Sequence, residues 1–443
     1  MTPSANLRVT QLAANPAVHR AFHWLHLHQP QLRRWLLEIL AIPAPPFGEA
    51  ARAAWFLDRF TELGLTNPHI DDAGNAVALL PASESVQDQA PRTSNPDPRP
   101  SPVVLLSAHL DTVFPADTPS QITEDGDRIL APGACDNAAG LTGLLALAAA
   151  LRHANLTTPV PVLFAANVGE EGEGDLRGMR HLFTESPFAS RIHTAFALEG
   201  AGSSAVVTRA LASRRFRVTV TGPGGHAWAD AGAPNPILAL SRALLALEGI
   251  PHTAPGSDRH AHPRTTLNIG QIAGGSAINS IPASATAWID LRSTDPDHLH
   301  ASETALRDSL TQWILHPPAR PASEPMQPTS SKPGVTVHPT LTIDLIGDRP
   351  GGALPDDSPL LSTLHAVDRH LHIRTEPGLG STDANIPLSL GVPAIAIGCG
   401  GMGGGIHTLN EWYDPTGRET ALRRILLTLM DTAALAAVDT PSS

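Results

Sequence analysis

Four short apolar runs constrain this chain most, because each leads, directly or through a Gly-rich loop, to a side chain that can bind a proton or a metal. They cover residues 103–108, 160–168, 193–198 and 392–397. Runs this short and this continuously apolar predict strands buried on both faces, not strands with one wet side. Helical patterns lie around them. Residues 50–63 are amphipathic at helical spacing, 137–153 are rich in Ala and Leu, and 419–436 form a closing helix. Buried strands alternating with helices predict an α/β layer on a mainly parallel sheet.

The middle of the chain follows another pattern. Residues 215–221 alternate as a strand, 236–247 are helical, 266–272 and 285–291 are strands, 298–314 are helical, and 340–346 are a strand again. The order β-α-β-β-α-β matches a split, ferredoxin-like α+β unit. It interrupts the first pattern, so residues 210–350 are expected to form an inserted lid, with residues 1–209 and 351–443 making the catalytic domain. A chain of 443 residues is long enough for both. Pro and polar residues crowd 86–102, 251–263 and 316–334, which predicts loops or insertions, and 439–443 should be disordered.

Composition narrows the functions. A formal charge of -12 argues against nucleic acid as a partner. No window approaches the roughly 20 apolar residues of a membrane span. Residues 1–27 lack the pattern of a signal peptide. With only Cys135 and Cys399, a disulfide framework is not expected. A soluble protein of the reducing cytoplasm is the expectation.

The candidate ligands follow the predicted strands. His109 lies in Ser107-Ala108-His109-Leu110-Asp111-Thr112, and Glu170 and Glu171 follow the second strand. Glu199 follows the third, His407 comes after the fourth, and Asp136 stands at the start of the Ala/Leu-rich helix. Ligands of open α/β sheets bind beyond the carboxyl ends of the strands, so all six groups are expected on one sheet edge. Two imidazoles and several carboxylates suit zinc, and also cobalt or manganese. Two divalent ions would balance three carboxylates and a hydroxide. Asp111 can accept the proton of the other ring nitrogen of His109. Each feature alone has a plainer reading. His-x-Asp is weak among 21 histidines, paired glutamates are usually a solvated face, Asp136 can be an N-cap, and Cys135 reads as a core or loop thiol. Their shared placement after successive strands is what weighs against coincidence.

At these residues the sequence resembles a family of two-zinc amidohydrolases that includes glutamate carboxypeptidase, acetylornithine deacetylase, succinyl-diaminopimelate desuccinylase, aminoacylase and tripeptidase T. The matching motifs are Ser-Ala-His-Leu-Asp-Thr-Val, Gly-Ala-Cys-Asp-Asn, Gly-Glu-Glu-Gly, Gly-Pro-Gly-Gly-His, and His407 with Glu411 and Trp412 close behind. The resemblance runs from about Ala41 to the final helix, and it implies a zinc-peptidase catalytic domain with a lid that makes a homodimer. It makes Asp136 a bridging ligand, with His109 and Glu199 completing one metal site and Glu171 and His407 the other. Glu170 becomes the general base and Asp111 the support of His109. His226 helps polarise the scissile carbonyl, and Asn279 and Arg292 hold a substrate carboxylate. A cis peptide bond is implied after Asp136. The run from Gly380 to Asp383 and the glycines of 400–405 resemble substrate-side loops.

Glu199, where other members carry Asp, looks like the deacylase and carboxypeptidase side. Gly347-Asp348-Arg349-Pro350 and the Gly-Ser-Thr-Asp-Ala-Asn run look closer to members near tripeptidase T. Three functions follow: a metallopeptidase for short peptides, an N-acyl amino acid deacylase with the same mechanism, and a catalytically silent dimeric binding homologue. The intact motifs disfavour the last. The first two stay open, because pocket shape separates them.

Overall fold

The four apolar runs become neighbours in one sheet. In the computed structural model, which describes residues 4–83, 101–118, 121–250, 264–316 and 339–438, strands Val162–Asn167, Val103–His109, Ile192–Leu198 and Ala394–Ile397 lie side by side and parallel. They are buried throughout except at His193 and form the middle of a nine-stranded sheet. Register aligns their carboxyl ends: His109 faces Asn167, and Ile397 faces Leu198. Strands Val162–Asn167 and Ala394–Ile397 start just after Pro161 and Pro393, which have no N–H to give a ladder. Antiparallel strands extend the sheet on both sides, among them Ala76–Leu80 and Ala205–Ala210. The fold is mixed α/β on a large, mainly parallel sheet.

Helix Ala138–His153 is buried from Ala138 to Leu151. It carries no charged residue before Arg152, as a helix enclosed on all sides requires. The sequence reading leaves residues 1–40 without elements, and here the structure adds three helices, Ala5–Ala13, Pro16–Leu27 and Gln29–Leu40. In the second of these, Val18, Ala21 and Leu25 make the buried face, while histidines occupy the others. That sparse apolar stripe is easily hidden by the histidines around it. The Pro-rich segments 86–102, 251–263 and 316–334 lie outside the described residues apart from their end positions, and 439–443 lie wholly outside them.

The chain divides into two compact units, Met1–Ala210 with Gly352–Ser443, and Leu211–Gly351. The second is a four-stranded antiparallel sheet in the order Thr265–Gly274, Ser284–Ser293, Ala212–Thr221, Thr340–Arg349. Helices Pro236–Ala246 and Pro296–Leu315 pack on it, as in a ferredoxin-like unit. Buried and half-exposed residues alternate along Ser284–Ser293, so one face meets the helices through Phe216, Val218, Leu240, Leu306 and Leu310. Both helices begin with Pro after a capping side chain: Asn235 Oδ1 accepts from Ile237 N at 3.0 Å, and Asp295 Oδ1 accepts from Asp297 N at 2.9 Å. Among the described residues, no helix is long and apolar enough to cross a membrane.

One buried charge pair ties the larger unit together. In the closing helix Arg418–Val438, Arg424 is fully enclosed. It donates to Asp368 Oδ1 at 2.6 Å, to Asp368 Oδ2 at 2.9 Å and to the Ser203 carbonyl at 2.8 Å. Removing one partner strands the other charge away from water. Asp368→Ala should therefore cost about 3–5 kcal/mol, read as a fall in the urea midpoint of this unit. An unchanged midpoint would contradict the account.

Candidate metal centre

His109 is the last residue of its strand and has 1% of its surface exposed. Its Nδ1 lies 3.0 Å from the Asp111 carbonyl oxygen. A carbonyl can only accept, so the proton sits on Nδ1 and the Nε2 lone pair points away. It points at two carboxylates: Asp136 Oδ1 is 3.1 Å from Nε2 and Glu199 Oε1 is 3.4 Å. Three electron-rich atoms at these separations repel one another unless a cation or a proton lies between them. The other oxygen of Asp136 repeats the arrangement, with His407 Nε2 3.1 Å from Oδ2 and 3.0 Å from Glu171 Oε1. Ligand atoms about 2.0–2.1 Å from a tetrahedral ion stand about 3.3 Å apart, which matches both groups. Asp136 Oδ1 is also buried without a hydrogen-bond partner, His109 Nε2 lying near it but off the line a bond needs. The residues present thus fit a pair of divalent cations, one held by His109, Asp136 and Glu199, the other by Asp136, Glu171 and His407.

Electrostatics agree with this need for cations. Burial pushes the Glu171 carboxyl up to about 7, with the Asp136 charge adding to it. Burial also raises Glu199. For Asp136 burial acts in the same direction, but His109 and His407 prevail and hold its pKa well below the usual range. Burial opposes charging of His109, yet Glu199, Asp111 and Asp136 lift its pKa well above normal. His407 rises to about 9, chiefly through its bond to Asp136. Without cations, protons on imidazole take their place.

The loops that carry the ligands are held by groups that are not candidate ligands. The Asp136–Asn137 bond is cis. Asn137, and not Asp136, caps the long helix: its Oδ1 accepts from Gly140 N at 3.1 Å and from Gly200 N at 3.0 Å. Its Nδ2 donates to the Leu198 carbonyl at 2.9 Å. The N-cap reading of Asp136 is thereby corrected, and its carboxylate is left to the centre. Glycine at 140 is required by this approach, since a Cβ there would lie 2.6 Å from the Leu198 oxygen. Glu411, fully buried, accepts from the backbone N–H of Gly133 at 2.9 Å and of Cys135 and Asp136 at 2.8 Å.

Asp111 departs from the role expected of it. Its carboxylate is 3.6 Å from His109 Nδ1 and instead accepts from Glu170 N at 2.9 Å and Glu171 N at 2.7 Å. The support of His109 comes from its carbonyl, because the two backbone N–H groups already occupy the carboxylate. Glu170 is buried, with a carboxylate oxygen within 4.8 Å of ligand atoms of His109 and Glu171. Sequence reasoning noted Asn137 only as the residue after the cis bond and the start of the helix, missed its capping role, and noticed Glu411 only as a neighbour of His407. A buried acid amid backbone donors leaves no periodic signal.

The remaining candidates lie outside the two ligand sets. Asp383 is buried in the larger unit, accepts from Asn167 Nδ2 at 2.7 Å, and is pushed by burial up to about 7. Four glycines of the 400–405 run flank or join the short strand Met402–Gly404, which pairs with Trp412–Asp414. His226, Asn279 and Arg292 belong to the second unit. His226 is exposed on a two-residue strand paired with Ser280–Ile281, and Asn279 is exposed beside it. The Arg292 guanidinium is engaged by Asp290, with Nε 2.7 Å from Oδ2. Cys135 and Cys399 are free and buried, and burial pushes the Cys135 thiol up to about 12.

The family model described as peptidase family M20/M25/M40 matches residues 105–432, and the chain belongs to that family. A probable carboxypeptidase of Aspergillus clavatus is 34% identical over 262 residues, 55% of this chain and 54% of that protein. The chain spans about half the length of the curated relatives it matches. Among solved structures, aminopeptidase PepT of Bacillus cereus superposes with a TM-score of 0.65 at 19% identity, over 92% of this chain and 99% of that one. A dinuclear metal-binding peptidase of the M20 family from Bacillus subtilis gives 0.58 at 13%, over 91% and 98%. At these identities the structural likeness speaks to the fold.

The role of Glu411 is open to a direct test. Glu411→Ala releases three N–H groups that hold the Asp136 loop, and should weaken divalent-metal affinity about 10–100-fold, as loss of a ligand-orienting partner does. Titration of metal-stripped protein with zinc, with circular dichroism confirming the fold, would measure it. Unchanged affinity would remove Glu411 from the centre.

Proposed function

We propose that this chain is a metal-dependent hydrolase that cleaves the amide bond of a short peptide. The observation that carries the reading is Asp136, whose two oxygens face two separate His/Glu pairs, while Glu170 lies outside both pairs yet close enough to His109 and Glu171 to share an ion with them. Two divalent ions in those sets, zinc by donor chemistry and cobalt or manganese equally suited in ligand type, would supply Lewis-acid polarisation of the carbonyl and a more acidic attacking water. Glu170 takes the proton of that water and passes it to the amide nitrogen as the C–N bond breaks. Asp111 orients it through the backbone N–H of Glu170.

His226 Nδ1 accepts from the N–H groups of Trp228 at 3.1 Å and Ala229 at 3.3 Å, so its proton lies on Nε2. That leaves it suited to donate to a carbonyl oxygen, the role the family resemblance gives it. Arg292, with Asn279, is assigned to a substrate carboxylate and must exchange Asp290 to reach one. That a relative is named a probable carboxypeptidase and a similar structure an aminopeptidase supports peptides as substrates. Glu199 favours a second reading, hydrolysis of N-acyl amino acids, and both classes belong in the assay. Two free cysteines support a reducing compartment, the cytoplasm.

Glu170 and Glu171 separate the roles. Glu170→Gln keeps size but loses the basic oxygen, so kcat should fall at least about 10²-fold with metal content and KM little changed. Glu171→Gln should instead lose affinity at one metal site. Metal analysis and steady-state kinetics on both variants decide it, and the opposite pattern would mean the two roles are exchanged.

We infer further that the second unit pairs with a second copy of itself. Strand Thr265–Gly274 is a sheet edge and is exposed over most of its length. Ile269 and Ile272 on it, and Leu245 on the adjoining helix, are exposed apolar side chains lining a cleft of about 460 Å³, and Leu238 on that helix is exposed as well. A two-fold contact is the commonest way to cover such a face. Light scattering at micromolar concentration should report a dimer, and Leu245→Glu with Ile272→Glu a monomer. A monomeric wild-type protein would overturn the pairing.

A further inference from the structure

We infer that Phe47 is a specificity-determining residue, forming one wall of a subsite that takes an apolar side chain flanking the scissile bond. This rests on the hydrolase reading above and names what that site selects. Phe47 follows Pro45 and Pro46, has 67% of its surface exposed, and adopts φ 67°, a left-handed conformation that a bulky residue seldom takes. An aromatic ring held outward in an unfavourable backbone conformation is a combination that clusters at binding sites.

The segment that carries it is fastened to the metal centre at several points. The Ala44 carbonyl accepts from Thr112 N at 2.9 Å, next to Asp111. Buried Arg52 bridges the Ile42 carbonyl, at 3.1 Å from Nε, to the Leu110 carbonyl, at 2.6 Å from Nη1, between His109 and Asp111. From the other side the Arg177 guanidinium lies 5.0 Å from the centre of the Phe47 ring. The Arg177 stem packs so closely on Gly169 that a Cβ there would lie 2.7 Å from Arg177 Cγ. Gly169 immediately precedes Glu170. Phe47 is thus two contacts from the candidate base.

Charge decides what the wall selects. Arg177 would attract an anionic side chain, but buried Glu49 accepts from its Nη2 with both oxygens at 2.7 Å, and the Ala73 carbonyl takes Nη1 at 2.9 Å. The cation is neutralised beneath the ring, and the surface offered above it is hydrocarbon. On the His407 side, Ile406 and Leu409 are also exposed. These two apolar side chains flank the candidate ligand His407 in the sequence, as Phe47 flanks the segment bonded to Thr112.

The test uses full-length, zinc-loaded protein and binding calorimetry with N-acetylphenylalanine and phenylalaninamide, each paired with its glycine counterpart. Together they place a side chain on either side of the amide. Wild type should bind at least one phenylalanine probe about 10-fold or more tightly than its glycine counterpart, the scale of discrimination an apolar pocket achieves. Phe47→Ala and Phe47→Gly should bring that ratio below about 3 and leave glycine-probe affinity unchanged, and Phe47→Trp should keep it. Glycine accepts the left-handed φ, so the second variant guards against a folding defect. No discrimination in wild type, or equal loss for both probes, overturns the proposal. Binding needs no turnover. Phe47-dependent discrimination in a protein that hydrolyses no peptide or N-acyl amino acid would sink the hydrolase reading alone.

Discussion

Buried negative charge at one sheet edge is the constraint on which the larger unit depends. Asp111, Glu170, Glu171 and Asp383 are buried, and half-buried Asp136 and Glu199 both lie in contact with buried His109. Anions so close cannot stay charged in a low-dielectric surrounding without donors or cations to oppose them. Two acids are answered by the main chain: Asp111 takes the N–H groups of Glu170 and Glu171, and Glu411 those of Gly133, Cys135 and Asp136. Each anion that is satisfied in this way fixes a loop bearing a candidate ligand. What stays unanswered is the set formed by Asp136, Glu171 and Glu199 with the two imidazoles, which is where divalent ions fit.

Packing then decides where that set stands. The long helix can approach the sheet because Gly140 has no side chain, and Asn137 closes the gap by bonding Leu198, Gly140 and Gly200 at once. Asp136 therefore sits between the end of the His109 strand and the loop of His407, with one oxygen toward each. A Cβ at position 140 would press on Asn137 and on the Leu198 carbonyl, and so disturb the loops that carry Asp136 and Glu199. The same logic holds at the rim, where Gly169, Arg177, Glu49 and Phe47 form a stack ending beside Glu170.

Much of this was legible beforehand. Continuous apolar runs identified the central strands to within a residue or two, because burial on both faces leaves no room for polar alternatives. The β-α-β-β-α-β order of the second unit was legible in its alternating strands. The N-terminal helices were not, since histidines surround a narrow apolar stripe at Val18, Ala21 and Leu25. Nor were the capping role of Asn137 and the two bonds of Asp111 to the Glu170–Glu171 turn, which depend on residues distant in sequence.

The sequence by itself determined the chemistry available: which strands are buried, which residue types follow them, and hence that nitrogen and oxygen ligands gather at one edge. Periodicity and composition are local, and burial reads them directly. Only the tertiary structure decided the division of labour among similar groups. Asp111, Asp136, Glu411 and Glu49 are interchangeable as carboxylates in a list of residues. One meets backbone N–H groups of the glutamate turn, one meets two imidazoles, one holds the loop before the cis bond, and one neutralises an arginine. What separates them is which donors lie within about 3 Å, and at that range hydrogen bonding and charge are settled by contacts that span hundreds of residues.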